Sequence, residues 1–218
     1  MAKKKIITKD QLLGFYMDYV LTHNHPPKSV YLFAKENNFD EQHFYKHFGS
    51  FEALDQHVFT AFFDNALQLL NKSEDYASYD SRNQLLTFYY TFFEILTANR
   101  SYVVYKLSGQ KDQLRSLQTL RELKKSFTSY IESLHIETLD LKQEQLQKFQ
   151  NRSLKETAWL QLLVTIKFWL DDNSSSFEKT DIFIEKSVNT SFDLIDVTPL
   201  RSLIDLGKFI YKEKIHMS

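Results

Sequence analysis

Glu132-Ser-Leu-His135 sets a carboxylate and an imidazole three residues apart. On a helix that spacing puts both on one face, the arrangement found in carboxylate-bridged two-metal bundles. Such a centre needs a second copy of the pair and two further Glu. The chain has no second copy, so the sequence reads here as a surface pair. His43 and His47 are spaced i, i+4, a separation that one metal ion can bridge. His23-x-His25 adjoins Pro26-Pro27 and has no evident third ligand. The absence of Cys removes thiol catalysis, disulfides and thiolate metal sites, and it fits a reducing cytoplasm. No phosphate-binding glycine loop, nucleophile elbow or zinc-protease motif occurs. The expectation is a cytoplasmic protein that is not an enzyme and carries no metal or cofactor.

Recognition chemistry is the remaining possibility. Residues 28–54, KSVYLFAKENNFDEQHFYKHFGSFEAL, read as two short helices joined by a tight turn, with Tyr45-Lys46-His47-Phe48 closing the second. Helix-turn-helix units are built this way and lay the second helix in the DNA major groove. Residues 1–50 hold seven Lys against five acids, a balance of +2, together with four His, while the whole chain stands at −1. Attraction to nucleic acid is therefore local. No Arg precedes Arg82.

The elements that position these residues are helices. Only four Gly and three Pro occur among 218 residues, so turns are few and elements long. Thr8-Lys-Asp-Gln11, Ser81-Arg-Asn-Gln84, Ser153-Leu-Lys-Glu156 and Ser175-Ser-Phe-Glu178 fit the capping-box pattern, and Thr198-Pro199 fits an N-cap followed by Pro at the first helical position. Apolar stripes agree: Leu12, Tyr16, Tyr19 and Val20; Leu54, Val58, Phe62, Ala66 and Leu69; Leu85, Tyr89, Phe92 and Leu96; Ile184, Val188, Phe192 and Ile195. The map is an all-α chain with helices over 8–23, 28–36, 40–47, 51–71, 82–97, one or two within 100–135, then 140–151, 153–170, 177–196 and 198–213. Residues 71–81, NKSEDYASYDS, read as a loop. A headpiece over 1–50, linked by the helix 51–71, then joins a body over 51–218. The longest apolar run, Ala158 to Leu170, is 13 residues, short of the roughly 20 that cross a membrane.

Residues 8–66 resemble the N-terminal part of the tetracycline-repressor (TetR) family of transcriptional regulators. Phe33-Ala34, Phe39, Phe44, the closure Tyr45-Lys46-His47-Phe48, and Ser50, Glu52 and Leu54 match the family pattern. The resemblance implies a three-helix headpiece that binds double-stranded DNA at a palindromic operator. By residue-wise transfer, Gln42 and His43 face base edges, Tyr45, Lys46 and His47 face phosphate and sugar, and Ser29 caps its helix and touches a phosphate. Lys3, Lys4 and Lys5 would add backbone contacts. The chain departs from the pattern at three places: Asn38 stands for the turn Gly, Gln42 for a small residue, and Phe51 for a Lys that meets phosphate.

The family's body forms a homodimer through two helices near its end and often encloses a small apolar ligand. The segment AWLQLLVTIKFWL is apolar almost all round, so Leu162, Ile166 and Trp169, with Ile184, Val188 and Phe192, are the expected dimer interface. Phe88, Phe92, Tyr102, Tyr105 and Trp159 are the expected pocket for an apolar or lipid effector. Trp169-Leu-Asp-Asp-Asn-Ser174, followed by Thr180, also looks like the C-terminal part of TetR-fold lipid-binding proteins that assist ubiquinone biosynthesis and do not read DNA. That resemblance implies the alternative function of a lipid- or partner-binding protein.

Overall fold

Helix starts in this chain are written as side-chain caps, and the computed structural model shows which of them are used. It describes residues 7–108, 117–136 and 144–196. Lys3, Lys4, Lys5 and the expected helix over 198–213 with its Thr198-Pro199 start lie outside the described residues. Among those described, nine α-helices form and no β-strand: α1 (Lys9–His23), α2 (Val30–Glu36), α3 (Glu41–His47), α4 (Phe51–Leu70), α5 (Ser81–Ala98), α6 (Arg100–Leu107), α7 (Arg121–Ser133), α8 (Glu144–Asp171) and α9 (Glu178–Asp196).

The box at Thr8 is closed on both sides: the Gln11 amide donates to Thr8 Oγ1 at 3.2 Å and the Thr8 amide donates to Gln11 Oε1 at 3.0 Å. Ser29 accepts from the Leu32 amide, Asp40 from the Gln42 amide and Ser50 from the Ala53 amide, each at 3.2 Å. The other three boxes are not used as the sequence has them. Asp80 caps α5, accepting from the Asn83 amide at 2.7 Å, while the Ser81 hydroxyl donates to the Leu134 carbonyl at 2.7 Å. Ser153 lies inside α8, because the helices expected over 140–151 and 153–170 are one. No Gly or Pro separates them, so nothing in the backbone stops propagation. Ser175 opens a short 3-10 turn, and the start of α9 is held instead by Asp172.

By backbone packing the chain divides into two compact units, Met1–Leu69 with Thr91–Phe127, and Leu70–Tyr90 with Thr128–Ser218. The packing thus does not part residues 1–50 from the rest. The helix-turn-helix shares its unit with α4, the second half of α5, and α6.

In the first unit, Leu12, Tyr16 and Val20 of α1 are buried with Phe33, Phe39 and Phe44. The α4 stripe runs Leu54, Val58, Phe62, Ala66 and then Leu70, while Leu69, expected in it, is 47% exposed. In the second unit, Leu85, Phe88 and Tyr89 of α5, Tyr130 and Ile131 of α7, Trp159, Leu162 and Trp169 of α8, and Ile184 and Val188 of α9 are buried. Tyr76 and Tyr130 share a hydroxyl–hydroxyl hydrogen bond of 2.8 Å under the loop before α5.

Candidate functional site

α3 has seven residues, and one of them, Phe44, is fully buried. At about 100° per residue, positions two before and two after Phe44 lie roughly 160° away from it. These are Gln42 and Lys46, and both are exposed. Tyr45, at 55% exposure, and His47 complete the outward face. Ser29 is exposed at the N-terminus of α2 and caps it. His43 differs from the other five. It is half-buried, and its Nδ1 is enclosed with no hydrogen-bond partner among the described residues.

The turn between α2 and α3 is fixed by Asn38 at φ 55°, a left-handed conformation that Asn tolerates where the resemblance has Gly. The Phe39 amide then donates to the Ala34 carbonyl at 3.0 Å. Phe51, where the family pattern has a phosphate-contacting Lys, is turned into an aromatic cluster. Its ring stacks on Tyr16 at 5.5 Å and meets Phe33 and Phe44 edge-on at 5.5 and 5.0 Å. A position that would donate charge to a duplex here packs α3 against α1.

A buried polar node that sequence reasoning did not identify ties α1, α4 and α6 together. Lys106 of α6 is 3% exposed, and its Nζ donates to Asp55 Oδ2 of α4 at 2.7 Å. Tyr102 donates to Asp55 Oδ1 at 2.9 Å, and Lys106 Nζ also donates to Tyr16 Oη of α1 at 3.3 Å. The ammonium lies 5.3, 5.9 and 5.4 Å from the ring centroids of Tyr16, Tyr102 and Tyr105. Burial first, and then the Asp55 charge, push the Tyr16 and Tyr102 hydroxyls well above the ordinary phenol range. They stay protonated and serve as donors. The spacing Tyr102-x-x-Tyr105-Lys106 was the available signal, but a Lys in a helix is ordinarily a solvated residue.

Tyr102 and Tyr105, expected in a ligand pocket, are therefore engaged around an ion pair in the first unit, where Phe92 is also core. Phe88 and Trp159 belong to the core of the second unit, Phe88 lying against Tyr130 with ring centroids 4.7 Å apart. None of the five lines the apolar cavity of about 330 Å³ that the second unit holds, which is built by Leu85, Ile131, Leu154, Ala158, Gln161 and Phe192 among others.

The dimer residues named from the sequence are turned inward. Leu162, Ile166, Trp169, Ile184 and Val188 are buried beneath the chain's own helices, and Phe192 is half-buried with the Arg82 guanidinium 5.4 Å from its ring centroid. The free apolar face of α8 is the next stripe round, Leu160, Val164 and Phe168, at 60%, 48% and 37% exposure. It continues onto α9 through Phe183, stacked on Phe168 at 4.5 Å, and the exposed Ile182. A helix apolar on every side gives no periodicity from which to choose its inward face.

The segment after Trp169 is organised around one carboxylate. Asp172 Oδ1 accepts from the Ser174 amide and hydroxyl at 2.8 and 2.7 Å, and Oδ2 accepts from the Thr180 amide and hydroxyl at 3.0 and 2.7 Å. Burial pushes this carboxyl up, but the four hydrogen bonds outweigh it and hold it down to about 2. Ser176 and Phe177 both take left-handed backbone conformations, at φ 51° and 59°, to make the corner. Asp172, Ser174 and Thr180 thus form the joint between α8 and α9.

The histidine and carboxylate pairs do not assemble a metal centre. Glu132 is paired with Lys155 at 3.2 Å, and His135 lies beyond the end of α7 at φ 47°. No cluster of three or more His, Asp or Glu suited to a metal occurs among the described residues. No helix among them is long and apolar enough to cross a membrane.

A family model described as tetracyclin repressor-like, C-terminal domain, matches residues 84–210, more than half of the chain. The match begins C-terminal to the helix-turn-helix stretch. No curated protein matches the chain.

Proposed function

The chain belongs to the tetracyclin repressor-like family through its C-terminal domain, and from this premise we propose that it is a homodimeric, DNA-binding transcriptional regulator controlled by a small apolar ligand. The observation that carries the reading is the outward face of α3. Gln42, Tyr45, Lys46 and His47 stand exposed on a helix whose inner side is locked by Phe44. Nothing else among the described residues covers them, so a major groove can meet an amide, a phenol and an ammonium together. In this reading Gln42 pairs with a base edge, and Tyr45, Lys46, His47 and Ser29 fix register on phosphate. Two copies joined through Leu160, Val164 and Phe168 present two such helices to the halves of a palindrome. A ligand that binds better to one spacing of the headpieces shifts operator affinity by that difference.

Selection of random duplexes by the pure protein at low salt tests this directly. An enriched palindrome supports it, and a pool that stays random overturns it. The alternative of a lipid- or partner-binding protein that reads no DNA is favoured by one observation, the packing of the half-buried Phe51 ring on Tyr16, Phe33 and Phe44 where a phosphate-binding Lys would be needed. The same selection separates the two.

A further inference from the structure

The cavity of the second unit carries information about charge. Its volume is about 330 Å³, which corresponds to about eleven water-sized volumes at roughly 30 Å³ each. Its walls come from α5, α7, α8 and α9, and Leu85, Ile131, Ala158 and Phe192 make them mostly apolar. Its polar side chains are Gln150, Ser153, Thr157, Gln161 and Ser191, all of them neutral. Among the described residues, no Lys, Arg, His, Asp or Glu lines it. Arg82, over the Phe192 ring, pairs with Asp193 Oδ1 at 2.7 Å, and Lys155, next to Leu154, pairs with Glu132 Oε2 at 3.2 Å.

Gln161 is the fixed polar point of this space. Its Oε1 accepts from Ser191 Oγ at 3.1 Å, and its Nε2 donates to Ser187 Oγ at 3.3 Å. These bonds hold the amide in one orientation across α8 and α9. An amide carries two donors and two acceptor lone pairs, more than these two bonds use. It can therefore both donate to and accept from a hydroxyl or carbonyl placed in the cavity.

We infer that this cavity is the effector site and that its ligand is an uncharged amphiphile of about ten to fifteen heavy atoms, with a single hydroxyl or carbonyl oxygen seated at Gln161. A carboxylate or an ammonium is rejected, because burying either without a counter-charge costs far more than the apolar chain returns. The inference rests on the ligand-control part of the proposed function and is independent of DNA binding.

The test is calorimetric titration of the full chain, without DNA, by 1-decanol, decanoate and decylamine at pH 7.5. Decanol binds, and the two ions bind at least about tenfold more weakly. Ala158→Phe fills the cavity and abolishes decanol binding while circular dichroism shows an unchanged helix content. Gln161→Leu weakens decanol by roughly tenfold, the loss of one hydrogen bond. Decanoate binding as tightly as decanol overturns the charge argument. Decanol binding undiminished by Ala158→Phe overturns the location, and the absence of any binding overturns both. A palindrome enriched in the duplex selection would leave the DNA reading standing in every one of these cases.

Discussion

Removing the Lys106 ammonium tests the buried node most directly, because each partner can be deleted separately. Lys106 and Asp55 have side chains only 4% and 18% exposed, and their 2.7 Å contact is flanked by Tyr16 and Tyr102. Lys106→Met leaves the Asp55 carboxylate with tyrosine donors but no counter-charge. Asp55→Leu leaves the ammonium with Tyr16 and ring faces alone. Breaking a buried pair from one side costs about 3–5 kcal/mol, a large share of the 5–15 kcal/mol that holds a typical domain. Lys106→Met, which strands the more exposed and better hydrogen-bonded partner, falls at the lower end. The double variant strands no charge and is expected to lie near the wild type, so the coupling energy approaches the sum of the two single costs, about 6 kcal/mol or more. Urea denaturation followed by helix circular dichroism measures all four corners of the cycle. At roughly 2–4 °C per kcal/mol in a chain of this size, either single variant lowers Tm by about 10 °C. Hydrogen exchange adds a positional check: amides of α1 and α4 lose protection in the single variants and regain it in the double. If the two single costs simply add, to within about 0.5 kcal/mol, the ion pair is not what holds α4 to α6 and the reasoning is refuted.

The remaining predictions concern other parts of the chain. Lys46→Ala should weaken binding to every duplex alike and lower the salt slope by about one, whereas Gln42→Ala should relax preference at one base position; a Lys46→Ala variant that changes preference but not salt slope contradicts the assignment. Val164→Glu with Phe168→Glu should convert the proposed dimer to a monomer in sedimentation at micromolar concentration while melting at nearly the wild-type temperature, since both side chains lie outside the core. Asp172→Asn should cost at least about 2 kcal/mol at neutral pH, because the amide keeps one acceptor oxygen and turns an NH2 donor toward the amide and hydroxyl that the other oxygen accepted from. The folded value of about 2 lies below the unfolded 3.8, so the wild-type advantage is complete above about pH 4, fades as pH falls and is gone near pH 2. Acid unfolding curves of the two proteins that stay parallel down to pH 2 would exclude this role for Asp172.

Local chemistry along the chain was enough to settle the all-helical class, the starts of α1, α2 and α3, and the turn at Asn38. Each is decided within a few residues: a hydroxyl or carboxylate reaches an amide two or three positions on, and Asn accepts a left-handed backbone. The inward set Phe33, Phe39, Phe44 and Phe48 and the outward set Gln42, Tyr45 and Lys46 were legible through the family resemblance, and their burial and exposure follow it. Tertiary packing decided the rest. Periodicity cannot orient a helix such as α8 that is apolar all round, so Leu162 and Ile166 turned inward and Leu160 and Val164 outward. Capping patterns compete with one another: Asp80 took the start of α5 while the Ser81 hydroxyl turned to the Leu134 carbonyl, and Asp172, accepting four hydrogen bonds, holds the start of α9 in place of Ser175. The Lys106–Asp55 pair joins residues 51 positions apart, and the cavity joins α5 to α9. Contacts between residues so distant in sequence exist only after the helices have packed, since no term in the local energy of either segment depends on the other.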